Sequence, residues 1–264
     1  MSVLQDPNSP SLPATLEEAQ NEIVVLRHQM AELRAQNRAM WGLLAEVSRR
    51  LQISSTSIKA AASSLLEHDI FWDSSNQHAF LEAIDDSVDE GARLITLMML
   101  AFRSEANTLA MNLEPHNLSE ILSAVVETLT AQWPQLHLDT TFPPSGKPAL
   151  VDYEYLAIGL GLLLEALLES GMVSSQSTLR LTELNDCWRL DFLDTESSVI
   201  KALNHLCERR FGKLMSSDNI SPENVLKLFT ASRIIQLQNI KMEVQSDEAS
   251  ETALRLTIPV AFTT

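Results

Sequence analysis

Few residues in this sequence have both the type and the spacing that chemistry asks for. The adjacent arginines Arg49 and Arg50 stand between two distant histidines, His28 and His68. Arginine keeps its proton and offers no lone pair. Two carboxylates stand out. Glu165 interrupts the longest apolar run, Leu156–Leu168, and Asp194 follows the stretch Trp188–Leu193, which alternates apolar and polar residues. A carboxylate can ligate Mg²⁺, although a surface aspartate at a strand end is commonly just solvated. Loops of glycine, whose backbone N–H groups close around phosphates, are missing: the chain has seven glycines and none after Gly212. There is no G-x-S-x-G, no H-E-x-x-H and no Cys/His ligand spacing. The residues therefore point to no metal site, and we expect no resident cofactor. Cys187 and Cys207 have neither metal nor redox spacing and fit buried thiols in a reducing cytosol.

The elements that would position these residues are legible in the apolar periodicity. Thr15-Leu16-Glu17-Glu18 is a capping-box sequence after Pro13 and predicts a helix start. From there Leu16, Ile23, Met30, Asn37, Leu44, Leu51 and Ile58 recur every seven residues, with Ala19, Leu26, Leu33, Met40, Val47, Ser54 and Ala61 three positions after each. This a/d seam predicts a coiled coil, and Asn37 at an a position favours a parallel pair in fixed register. The dimer seam expected from it is Ile23, Leu26, Met30, Leu33, Asn37, Met40, Leu44 and Val47. A loop is expected at His68–Gln77. A second helix then carries Leu81, Ile84, Val88, Gly91, Ile95, Met98 and Phe102. Two such hairpins would form a four-helix bundle.

After Pro115 the pattern changes. Helices are expected at about Ser119–Trp133, Tyr153–Ser170, Ile200–Arg210 and Asn224–Gln238. Strands are expected at Leu136–Phe142, Ala149–Val151, Thr178–Leu184, Trp188–Leu193, Lys241–Gln245 and Ala253–Val260. That order implies helices on one face of a mixed sheet. The fold class is thus α+β: a coiled coil and helical hairpin followed by an α/β sandwich. The expected organisation is a flexible tail over residues 1–14, a parallel coiled coil over 15–45, a dimerisation hairpin over 46–112 and the sandwich over 113–264.

Composition narrows the function classes. The net charge of −16 argues against nucleic acid. No stretch reaches the roughly 18 apolar residues of a membrane span, and the first 14 residues lack a signal-peptide pattern. These features imply a cytoplasmic protein.

Residues 47–66, VSRRLQISSTSIKAAASSLL, resemble the dimerising phospho-acceptor helix of bacterial sensor histidine kinases, whose pattern is V-S-H-E-L-R-T-P-L-T-S-I. The end of the chain, SRIIQLQNIKMEVQSDEASETALRLTIPV, resembles the close of that family's ATP-binding domain, the gyrase-type ATPase fold. The resemblance covers about residues 40–262. It implies a homodimer and a place in two-component-type signalling. It also locates what is missing. Arg49 and Arg50 stand where the family has its acceptor histidine and the neighbouring acid, Ile53 where many relatives hold a phosphatase Thr or Asn, and Ser54 where they hold proline. The nucleotide motif N-L-L-x-N-A-x-K reads Gly161 to Leu168, with Glu165 at the Mg²⁺-holding asparagine and Leu168 at the lysine. Of D-x-G-x-G only Asp194 remains, and G-x-G-L reads Val225-Leu226-Lys227-Leu228.

The resemblance implies a catalytically inactive, histidine-kinase-like scaffold or adaptor that binds a partner histidine kinase or a response regulator. Two alternatives stay open. One is a divergent ATP-binding kinase with a non-standard acceptor, using Glu165 and Asp194. The other is a subunit receiving phosphate in trans. Within the first reading, Arg49 and Arg50 would make a positive spot suited to an acidic partner surface; as coiled-coil flank positions they would simply be solvated.

Overall fold

The computed structural model describes residues 16–67, 74–134, 136–144, 146–171, 178–193, 200–207, 220–246 and 252–261. Helix α1 (Leu16–Glu67) is 52 residues long, and α2 (Ser74–Glu105) has 32. At 1.5 Å per residue, α1 exceeds α2 by roughly 30 Å. It runs without a break through the 45/46 boundary expected from the sequence. Ser54 lies against α2, its hydroxyl donating to the Ser87 carbonyl. Gly91 faces it across the helix pair, where a Cβ would lie 3.4 Å from the Ser54 hydroxyl oxygen. The expected loop at His68–Gln77 is corrected at its end, because Ser74–Gln77 belong to α2. Polar residues are tolerated in a first turn, whose N–H groups have no intrahelical acceptor.

The remainder is built from β1 (Glu114–His116), α3 (Leu118–Gln132), β2 (Asp139–Thr141), β3 (Ala149–Val151), α4 (Tyr153–Glu169), β4 (Thr178–Glu183), β5 (Cys187–Phe192), α5 (Ile200–Cys207), α6 (Pro222–Leu237), β6 (Lys241–Ser246) and β7 (Thr252–Pro259). The main sheet has the order β2-β4-β5-β7-β6; β2 and β4 are parallel and the other pairs antiparallel. β1 and β3 form a separate antiparallel pair. Alternation puts Leu179, Leu181, Leu190, Phe192, Leu254, Leu256 and Ile258 in the core. Opposite residues are polar: Asp191, on β5, accepts from Arg255 at 2.6 Å. This is the division expected of a sheet with one covered face.

Three helices are capped as the sequence chemistry requires. Asn117 accepts from the Ser119 N–H, Asp152 from Tyr155 and Ser221 from Asn224. Pro222 sits at the start of α6, where a missing N–H costs nothing. α6 contacts α4, α2 and α1. One apolar cluster therefore joins Leu43, Val47, Leu94 and Leu97 of the hairpin to Leu160, Phe229 and Leu256 of the sandwich. Among the described residues no helix is long and apolar enough to cross a membrane.

Candidate functional site

The hairpin's two arginines and the sandwich's Glu165 belong to one charged cluster. Arg49 and Arg50 follow Glu46 by three and four residues, within reach on one helix face. Arg49 is exposed and grips Glu46 through two bonds, at 2.8 and 2.6 Å. Arg50 turns inward: its Nη1 donates to Glu223 Oε2 at 2.5 Å, and its Nε lies 3.6 Å from Glu46. The positive spot expected at this pair is thus corrected. Each guanidinium already has a carboxylate of the same chain.

Glu223 is the hub. It lies in the first turn of α6, where the helix dipole favours a carboxylate. Besides Arg50 from α1, it faces Arg93 from α2 at 3.4 Å and Lys227 from its own helix at 3.5 Å. Lys227 is one turn further along. Its ammonium donates to Glu165 at 2.8 Å and to Glu169 at 2.9 Å. Those two glutamates are four residues apart on α4, so helical periodicity presents both to α6. Arg93 bridges outward, donating to Glu90 at 2.6 Å and approaching Glu165 at 3.8 Å. Lys227 is only 2% exposed, and a buried ammonium needs such partners.

Burial alone would push the Lys227 ammonium down, but the bonds to Glu165 and Glu169 outweigh it and raise its pKa above the ordinary value. Burial acts likewise on Arg93 and is overcome by Glu90 first, then by Glu223 and Glu165. At the exposed end, the hydrogen bond from Arg49 holds Glu46 below the usual carboxylate range, against a smaller opposing effect of burial.

The donors among the described residues do not fit a magnesium nucleotide. Glu165, which the sequence resemblance aligns with a Mg²⁺-holding asparagine, is engaged by the Lys227 ammonium at 2.8 Å. Five carboxylates, Glu46, Glu90, Glu165, Glu169 and Glu223, pair with four cations, Arg49, Arg50, Arg93 and Lys227, which leaves no free cation in the cluster for a triphosphate. Among the described residues no group of three or more His, Cys, Asp or Glu is placed to hold a metal ion. Asp194 lies outside the described residues, as do residues 208–219. Cys187 and Cys207 are half-buried thiols.

The expected seam divides in two. Ile23, Leu26, Met30 and Leu33 are 47%, 52%, 50% and 64% exposed. Asn37 is exposed and Leu44 half-buried; Met40 is in α1, its side chain outside the described part. Val47 departs from the expectation. It is 1% exposed and enters the chain's own core with Leu43 and Leu94, because α2 and α6 cover α1 there. On α2, Leu81, Val88, Ile95 and Phe102 form a second exposed apolar row. Sequence reasoning missed Glu169, Glu223, Lys227 and Arg93. The available signal was the pair of i,i+4 spacings, Glu165/Glu169 and Glu223/Lys227.

No protein-family model matches the sequence, and no curated protein does. Solved structures do match. The Acinetobacter baumannii histidine kinase AdeS aligns with a TM-score of 0.53 and 14% identity, over 80% of this chain and 98% of that one. Full-length ShkA, in complex with AMPPNP, aligns with a TM-score of 0.53 and 12% identity over 84% of this chain. The chain spans about half of ShkA, 46% of its length. At these identities the likeness is one of fold: a helical hairpin and a mixed sheet resembling histidine-kinase ATPase domains.

Proposed function

We propose that the chain is a histidine-kinase-like scaffold that transfers no phosphate, a dimeric adaptor in two-component-type signalling that meets a response regulator or a partner histidine kinase in the cytoplasm. The observation that carries this reading is Lys227. It stands at the second glycine of the stretch resembling G-x-G-L, and its ammonium sits against Glu165 and Glu169 at 2.8 and 2.9 Å. Where the family would admit a metal and phosphates, this chain places its own cation. Arg49, at the acceptor slot, adds a side chain without a lone pair, engaged by Glu46.

Dimerisation is the second part of the reading. Half-exposed Ile23, Leu26, Met30 and Leu33 form a stripe that a parallel second copy would cover. In that register Glu22 would face Arg27 of the other copy, an attractive pair flanking the seam. The domain organisation follows: coiled coil over 15–45, hairpin over 46–112, sandwich over 113–264.

Calorimetric titration with Mg-ATP, paired with radiolabelled ATP, tests the reading. The expected result is no heat of binding and no labelled protein. Restoring histidine with Arg49→His leaves both unchanged, since Lys227 is unaffected. Magnesium-dependent binding, or label that survives base and is lost in acid, would sink the proposal.

A further inference from the structure

α6 is fastened to the hairpin at both ends. At its start, Glu223 receives Arg50 of α1 and faces Arg93 of α2. Ten residues on, roughly 15 Å along the axis, Arg233 donates to the Ser104 carbonyl at 3.3 Å and to the Asn107 side-chain oxygen at 2.6 Å. Asn107 has φ of 53°, a left-handed conformation that asparagine tolerates better than most residues. It turns the chain off the end of α2 and delivers its amide to Arg233. Between the two fastenings lies shared apolar core, including Leu94, Leu97 and Phe229.

We propose that α6 is an intramolecular clasp. It fixes the sandwich rigidly on the hairpin and occupies the hairpin's basic residues Arg50 and Arg93 with Glu223. The sandwich thereby takes the place of an acidic ligand on the bundle. A partner that offers a carboxylate to Arg50 must first displace Glu223, so capture of such a partner and the clasped arrangement exclude each other. Two charge-assisted fastenings separated by packed core resist rotation as well as separation, because a hinge at either end must break the other. The inference goes beyond phosphate silence and does not depend on it.

Distance measurement between spin labels tests it. The labels are carried by Lys59→Cys on α1 and Asn185→Cys in the β4–β5 turn, both exposed. The background is the full chain with Cys187→Ser and Cys207→Ser, diluted with unlabelled chain to suppress distances between copies. One narrow distribution is expected. Glu223→Gln with Arg233→Gln should broaden it and shift it to longer distances. Glu223→Asp, which keeps the charge, should leave it narrow. Where the double variant does not fold, Glu223→Gln alone against Glu223→Asp decides. A broad distribution in the starting protein overturns the clasp. So does a narrow one that ignores loss of the charge, since packing alone would then set the arrangement. Magnesium-nucleotide binding by a chain with one narrow distance would overturn the function proposed above and spare the clasp; a phosphate-silent chain whose halves swivel would do the reverse.

Discussion

The amino-terminal half of α1 and the whole of α6 invert each other. α1 exposes Ile23, Leu26, Met30 and Leu33, while α6 buries Glu223, Lys227, Thr230 and Ser232. An amphipathic surface helix would show the opposite in both cases. The two inversions differ in whether they are satisfied. These four buried polar groups of α6 have named partners: carboxylates for Lys227, basic side chains for Glu223 and main-chain carbonyls for Thr230 and Ser232; Asn224 donates to Ser170, while its buried Oδ1 has no partner. The apolar stripe of α1 has none among the described residues. α6 is therefore an interface all but finished within one chain, whereas the stripe of α1 is left unfinished within it, as the proposed dimer requires.

The largest effect should come from the unfinished interface. Leu26→Lys with Leu33→Lys places charges in the stripe. The lost burial, about 1.5–3 kcal/mol for each leucine, should weaken self-association by a hundredfold or more. Sedimentation at micromolar concentration should then show monomers where the unmodified chain shows dimers. If the unmodified chain is monomeric, the contrast between the two helices loses its meaning.

The finished interface should respond to a single atom group. Lys227→Met leaves Glu165, Glu169 and Glu223 facing one another without their central cation. Breaking a buried ion pair from one side costs about 3–5 kcal/mol, readable as a lower urea midpoint. Lys241→Met, whose lysine pairs with Glu243 at the exposed edge, is the control and should change little.

Alkali sharpens the same point. The folded Lys227 value lies above the ordinary 10.5. Its contribution is thus complete below that pH and is lost as pH rises through the folded value. The groups facing it are Glu165 and Glu169 from α4 and Glu223 on α6, with Arg93 of α2 and Arg50 of α1 next to those carboxylates. The stability gap between the starting protein and Lys227→Met should stay constant to about pH 10 and narrow above 10.5. A gap that widens there would assign the stabilisation to another group.

Much of the fold was legible because its elements repeat a pattern. Ala149–Val151 was expected and found as β3, and α4 ends within one residue of expectation. The strand expected over Leu136–Phe142 shrank to Asp139–Thr141. β1 was not expected, since it is three residues long with Pro115 at its centre and is held by β3 alone. The site was legible only in part. Glu165 stood out as a charge in an apolar run. Lys227 read merely as a lost glycine, since its meaning depends on α6 crossing α4 with both i,i+4 pairs face to face. Val47 fitted the heptad as well as Leu26 does; only the docking of α2 and α6 separates a core valine from a seam leucine.

The smallest effect separates two neighbours that the sequence presents as equals. Arg49 is exposed and touches Glu46, on its own helix, whereas Arg50 reaches across to the nearly buried Glu223. Arg50→Ala should cost about 1.5–3 kcal/mol, the range for a hydrogen bond to a charged group. Arg49→Ala should leave the urea midpoint unchanged, because an exposed pair one turn apart is screened by water and salt. It should still be visible at Glu46, whose carboxyl loses the bond that holds it low and titrates nearer the ordinary 4.5 in carboxyl-resolved NMR. The depressed value means that the pair's contribution exists above 4.5 and fades as pH falls through the folded value, so acid should abolish whatever small difference remains between the two proteins. Equal stability losses from Arg49→Ala and Arg50→Ala would mean that the pair acts as one solvated patch on α1, with Glu223 no more than a bystander.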